Sequence, residues 1–319
     1  MISRRATLGA LIGATAPLAH RSFAQDNTIK LLVGASSGTD FTARLIAEKL
    51  RDALGKTVVV IPRLGAGQRL ALGELQRAAP DGRTLMLATS APFSIYPHIY
   101  AKLDYEPIKD FTPIAGVSSF DVGIATGPMT GAKDMKQLVA WLTANRNNAL
   151  YGSSPGTGSL SHFSGIALSL AINQPLTHVP YKETGVGVVD LSTGRLPILI
   201  TGLSGMLELH RAGKITLIGS SGNARAPLLP DVPTLSESGI NVNSTATVGI
   251  FGPAKMPPEV VAPLTEAILA ICRTPEYRDK IGVYNVLPKP LTPAQLSTVL
   301  ADEYKQFAML VKASGYVPE

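Results

Sequence analysis

Apolar runs of strand length that end in small polar residues recur along this chain, each followed by a stretch with helical amphipathicity. Residues 29–35 are apolar apart from Lys30, which suits a strand buried on both faces of a parallel sheet. The turn ASSGTD follows. Residues 41–54 then place Phe41, Leu45, Ile46, Leu50 and Leu54 on one helical face, with Gly55 where a C-cap glycine belongs. The apolar run 58–61 completes a βαβ unit. The pattern returns at 84–88 with Thr89 and Ser90 behind it, at 149–151 before GSSPGTGS, and at 196–200 and 215–218. Such repetition predicts a doubly wound α/β protein whose ligands sit beyond the carboxyl ends of its strands.

Two segments read as crossings between lobes. Residues 112–126 (TPIAGVSSFDVGIAT) are long, apolar and punctuated by glycine, and residues 244–252 (STATVGIFG) begin with period-two alternation. Taken as hinge strands, they divide the chain into a discontinuous first lobe, 26–124 with 248–319, and an inserted second lobe, 125–247. The arrangement is a two-lobed clamp.

Residues 1–25 read as an export signal: Arg4 and Arg5 after Ser3, an apolar run over 8–19 too short to span a bilayer, then the small-x-small site Ser22-Phe23-Ala24. Ser-Arg-Arg-x-x-Leu is of the twin-arginine type, an address read by a receptor. A periplasmic protein is expected, working without a cytoplasmic nucleotide pool. Cleavage leaves about 295 residues, more than one core usually organises.

Removing Arg4, Arg5 and Arg21 from 29 basic residues leaves 26 against 23 acidic ones, a net of +3. That balance, with few aromatics, argues against a nucleic-acid partner. The single cysteine, Cys272, lies in an apolar helical stretch and excludes an internal disulfide. The scattered histidines offer no metal-ligand spacing, and no cofactor fingerprint is present. Arg63-Leu64-Gly65-Ala66-Gly67-Gln68 lacks the GxGxxG spacing and reads as a loop shaping the first lobe.

Two loops carry the candidate chemistry. Ser36, Ser37, Gly38, Thr39 and Asp40 lead into the first helix, where unpaired N–H groups and the helix dipole accept an anion without a basic side chain. The same residues also suit an ordinary βα turn with an N-cap. The loop at 152–159, GSSPGTGS, has the same character, and paired across a cleft the two fit a ligand with a carboxylate at one or both ends. GSSPG also matches a nucleophile elbow centred on Ser154, with His162, His178 or His210 as base and Asp190 as orienting acid. Pro155, however, removes the N–H that would form half of an oxyanion hole.

Seven segments in order resemble the Bug family, the periplasmic solute-binding proteins of tripartite tricarboxylate transporters. They are GTDFTARLIAEKL (38–50), RAAPDGRTLMLATS (77–90), YPHIYAKLDYEPIKDFTPIAGV (96–117), YGSSPGTGSLSH (151–162), HVPYKETG (178–185), LPDVPTLSESG (229–239) and GIFGPAKMPPEVV (249–261). The resemblance spans residues 29–315 and implies a type II periplasmic-binding-protein fold, two α/β lobes joined by two crossing strands with a ligand cleft between them. It implies a monomeric, non-enzymatic receptor for a small organic acid, mono-, di- or tricarboxylate or aromatic, delivered to membrane permease subunits or sensed. By matching position it assigns the ligand to Ser36, Ser37, Gly38, Thr39, Asp40, Thr89, Ser90, Ser153, Ser154, Gly158, Ser159, Tyr181, Lys182 and Thr201. Two departures from the family stand out. Ala35-Ser36-Ser37 replaces a proline- and glycine-rich loop, and Thr201-Gly202-Leu203 lacks an aspartate common in relatives, which disfavours an amino-acid ligand. The alternatives are an exported hydrolase using Ser154 and an orphan binding protein that has lost its ligand.

Overall fold

The computed structural model describes residues 27–35, 38–240 and 244–318; the export segment and Ser36 and Ser37 lie outside the described residues. In chain order the elements are β1 (Thr28–Val33), α1 (Gly38–Leu54), β2 (Thr57–Pro62), α2 (Arg69–Gln76), β3 (Thr84–Thr89), the short α3 (Ala91–Ser94) and α4 (Tyr96–Ile99), and the long β4 (Phe111–Thr126). There follow α5 (Met135–Ala144), β5 (Leu150–Ser153), α6 (Leu160–Ala171), β6 (Thr177–Pro180), α7 (Thr184–Ser192), β7 (Ile198–Gly202), α8 (Leu207–Arg211) and β8 (Thr216–Ser220). The chain closes with β9 (Thr245–Pro253), α9 (Pro258–Cys272), α10 (Pro275–Gly282), β10 (Val286–Leu291) and α11 (Pro293–Ser314).

Continuous apolar strands follow from helices on both faces of the sheet. Leu31, Val33, Leu85 and Leu87 pack with α1 and α9, while the alternate residues Leu32, Met86 and Ala88 pack with α2, α3 and α11. The second half repeats the scheme. Ile198, Ile200 and Ile218 face α5 and α6, whereas Leu199 and Leu217 face α7 and α8. Cys272 is buried and free, and burial pushes its thiol up to about 12, so it serves as a small core hydrophobe.

The strands run in the order β2-β1-β3-β9-β4-β7-β5-β6, with β8 and β10 also on β4. β1 is parallel to β2 and β3, and β5 to β6 and β7; β4 and β9 run antiparallel to their neighbours, so the sheet is mixed. The first part of β4 pairs with β9 from Phe111↔Pro253 to Asp121↔Thr245, and from Val122 onward β4 pairs with β7 and β8 instead. β4 thus runs through both halves, as one of the two expected crossing strands, whereas β9 pairs only with β3 and the first part of β4.

α11 ties the halves together. Its Phe307 and Val311 share a buried cluster with Ile95, Tyr96 and Ile99 from the first half and Phe163 from α6, and Phe307 meets Phe163 edge-on at 6.0 Å. Thr292 caps this helix in a reciprocal capping box with Gln295. Replacing Phe307 by Ala should lower stability by about 3 kcal/mol, read as a reduced urea midpoint.

Candidate functional site

β1, β2 and β3 end on one edge of the first half, with Val33 level with Pro62 and Leu87. Gly38, Thr39 and Asp40 form the first turn of α1, three residues earlier than amphipathicity alone predicts. Gly38 lies against β10, where a Cβ would stand 3.2 Å from Val286. Thr39 is buried. Asp40 is committed within the helix, accepting from Nε of Arg44 at 2.7 Å.

The loop after β2 does more than shape the lobe. Gln68 is buried in left-handed backbone with φ 75° and packs over Gly34, where a Cβ would come 2.7 Å from its own. Its Nε2 donates to Oγ1 of Thr89 at 2.5 Å, and its Oε1 accepts the Thr89 N–H at 3.1 Å. Gln68 therefore takes up the Thr89 N–H and a lone pair of its hydroxyl while leaving the hydroxyl proton to donate, a pairing with no signal in local sequence. Beside it, Tyr96 is buried with its hydroxyl against Gly67. Burial raises that hydroxyl's pKa, with the Arg69 charge opposing.

Ser90 donates its N–H to the carbonyl of Thr247 at 2.8 Å. Behind it, the Glu303 carboxylate accepts from Thr247 Oγ1 at 2.8 Å, from Ser94 at 3.2 Å and from the Ser90 side chain. Lys289 donates to the same Thr247 hydroxyl at 2.9 Å. Asp121, where β4 changes partners, accepts from Thr245 at 2.7 Å. Burial raises the pKa of Glu303 and Asp121 and lowers that of Lys289, while the attraction of Lys289 for both carboxylates opposes all three shifts.

In the second half, β5 and β7 end together. Ser154 Oγ lies 3.0 Å from Thr184 Oγ1, which lies 3.3 Å from Thr201 Oγ1, and Thr201 donates to the Ser154 carbonyl at 3.1 Å. Thr184, absent from the sequence-based set, joins because it opens α7 beside that edge. Ser159 is the N-cap of α6, accepting from the His162 N–H and donating to the Gly156 carbonyl at 2.6 Å. Gly158 meets the first half directly: a Cβ there would stand 2.7 Å from Ile99 and 3.6 Å from Tyr96. Tyr181 turns to α7, donating to Asp190 at 2.9 Å, and Lys182 is exposed.

Ser153 is fully buried and 2.7 Å from Nε2 of His178. His178 stacks on His162 at 4.0 Å, and Nδ1 of His162 accepts the Gly158 N–H at 3.3 Å. The histidines thus support the loop from beneath, and Ser154 has a threonine as partner rather than a base. Among the described residues no cluster of side chains suits a metal ion, and no helix is long and apolar enough to cross a membrane.

The sequence profile of the tripartite tricarboxylate transporter family receptors matches residues 42–316. The chain belongs to that family. A UPF0065 protein of Bordetella bronchiseptica is 30% identical to this receptor over 83% of the chain and 79% of its own length. MatC from Rhodopseudomonas palustris, solved with bound malate, is 28% identical, covers 89% of this chain and 98% of its own, and superposes with a TM-score of 0.78. The periplasmic binding protein BugD is 27% identical with a TM-score of 0.80, covering 92% of this chain and 99% of its own. The fold is that of the two-lobed periplasmic binding proteins. The protein is a solute-binding receptor and not an enzyme, which removes the hydrolase alternative.

Burial and the neighbouring His178 hold His162 down to about 3, and burial holds His178 down to about 4. The unfolded chain protonates both near pH 6.5, so below that pH it binds more protons than the folded receptor, and stability present above about pH 7 is lost as pH falls toward 4. For the more buried His162 the loss at pH 5 is about 2 kcal/mol. The urea midpoint should fall between pH 7.5 and pH 5. His178→Gln, which keeps a polar partner for Ser153 but cannot titrate, should flatten the decline.

Proposed function

We propose that this receptor works in the periplasm, where it captures a small carboxylate between a lobe of residues 26–124 and 248–319 and a lobe of residues 125–247. As a monomer it delivers the acid to permease subunits of a tripartite tricarboxylate transporter, after export through residues 1–25 by the twin-arginine route. The observation that carries this reading is the convergence of small polar loops at strand ends, with the GSSPGTGS loop seated through Gly158 on Tyr96 and Ile99 of the other half. Glycines and serines there let a ligand approach main-chain amides. In this reading the acid meets Gly38, with Ser36 and Ser37, on one side and Ser154 and Thr201 on the other. Contacts from both lobes are satisfied together only when the clamp is closed. Malate bound to MatC, 28% identical, supports a carboxylate as the ligand class. Thr201, in a hydroxyl cluster with Ser154 and Thr184, favours an oxygen-rich acid over an amino acid.

A thermal-shift series with malate, succinate, citrate, nicotinate and benzoate tests it. An acid present at a hundred times its dissociation constant should add about 2.7 kcal/mol and raise the midpoint by about 5 °C or more. Ser154→Ala should weaken the best ligand only severalfold. If none of the acids moves the midpoint, the carboxylate reading fails and the orphan alternative takes its place.

A further inference from the structure

Among the described residues, Arg69 is the one arginine that is not exposed and has no carboxylate partner. Arg44, Arg51, Arg63, Arg83, Arg195, Arg211, Arg225 and Arg278 each pair with an acid, and Arg77, Arg146 and Arg273 are exposed to water. A guanidinium partly withdrawn from solvent without a counter-charge is only partly compensated by dipoles, so an anion brought to it gains a charge partner that the chain does not supply.

Its geometry is fixed. Nε donates to the Ala66 carbonyl at 3.0 Å, and the guanidinium lies 4.2 Å over the ring of Tyr100, a cation–π contact that sets the plane of the fork. The two Nη groups, the pair that binds a carboxylate side-on, have no acceptor among the described residues. Arg69 also stands where the halves meet. The Tyr100 hydroxyl is 3.9 Å from where a Cβ of Gly158 would be, and the neighbouring Gln68 reaches Thr89 at the end of β3. With the Thr89 N–H already given to Gln68, the first half has a positive side chain to offer beside that strand end.

We propose that Arg69 grips the second carboxylate of a dicarboxylate, so that this receptor selects diacids over monoacids of the same chain length. The proposal rests on the reading of the cleft as a carboxylate site and adds the charge number of its ligand. Gln68 and Tyr100 are positioning residues: one occupies Thr89, and the other holds the guanidinium flat.

Isothermal titration of the purified protein with matched pairs tests this: malate against 2-hydroxybutyrate, succinate against butyrate, and adipate against hexanoate. Wild type should bind the diacid of the best pair at least about tenfold tighter. Arg69→Gln should weaken that diacid by about tenfold to a hundredfold while changing the monoacid less than twofold. Arg69→Lys, which keeps charge without the planar fork, should fall between the two. Circular dichroism and an unchanged melting midpoint without ligand establish that the variants fold. Unaltered diacid binding in Arg69→Gln, or an equal loss for diacid and monoacid, would overturn the role of Arg69 and leave the carboxylate reading standing. A wild type that binds no acid of either kind overturns both.

Discussion

A sheet covered by helices on both faces leaves polar chemistry one outlet, the edge where its strands stop. Leu31 and Val33 are claimed by α1 and α9, and Leu32 between them by α2 and α11, so no side chain along this part of β1 is free to meet a solute. The same holds for Ile198, Leu199 and Ile200 in β7. Glycine, serine and threonine gather just past those strands because backbone must turn there without burying unsatisfied groups. The described candidate ligand residues of the receptor lie near that rim, and β4 runs through both halves.

Charge is concentrated where the two halves share strands. Glu303, Lys289 and Asp121 are drawn from α11, β10 and β4, and they are linked through hydroxyls of Thr247 and Thr245 on β9. Withdrawing three ionised groups from water is unfavourable unless each is hydrogen-bonded to the others or to dipoles nearby. Here Thr247 both donates to Glu303 and accepts from Lys289. The same carboxylate fixes Ser90 and Ser94, so the loop after β3 is tied to the crossing strands rather than left to find its own conformation.

Much of this was legible in sequence because it depends on periodicity. Uninterrupted apolar runs marked the central strands, and the length of 112–126 marked a strand long enough to serve two sheets. Boundaries slipped where a polar residue joined an element: Thr39 and Asp40 entered the first turn of α1 through the Asp40–Arg44 pair. What pattern does not reveal is tertiary pairing. Gln68 is 21 residues from the threonine it binds, and Arg69 stands out only once every other described arginine has been matched with an acid or with solvent. His178, offered in sequence as a base for Ser154, instead bonds Ser153 and stacks on His162, a neighbour supplied by α6 rather than by its own strand. The family resemblance points to loops, but it does not distinguish a hydroxyl that faces a guest from one already bonded, as at Thr89 or Ser159.

The aromatic peg of α11 bears on how such a clamp moves. Phe307 is wedged among Tyr96 and Ile99 on one side and Phe163 on the other, so opening cannot be a free swing about two flexible strands. The rotation must roll the α6 surface over that ring or lift it off and wet it. Rolling preserves the contact and confines the motion to a single axis, as a knee does, so that a contact a few atoms wide at the rim could set the angle of a much larger body.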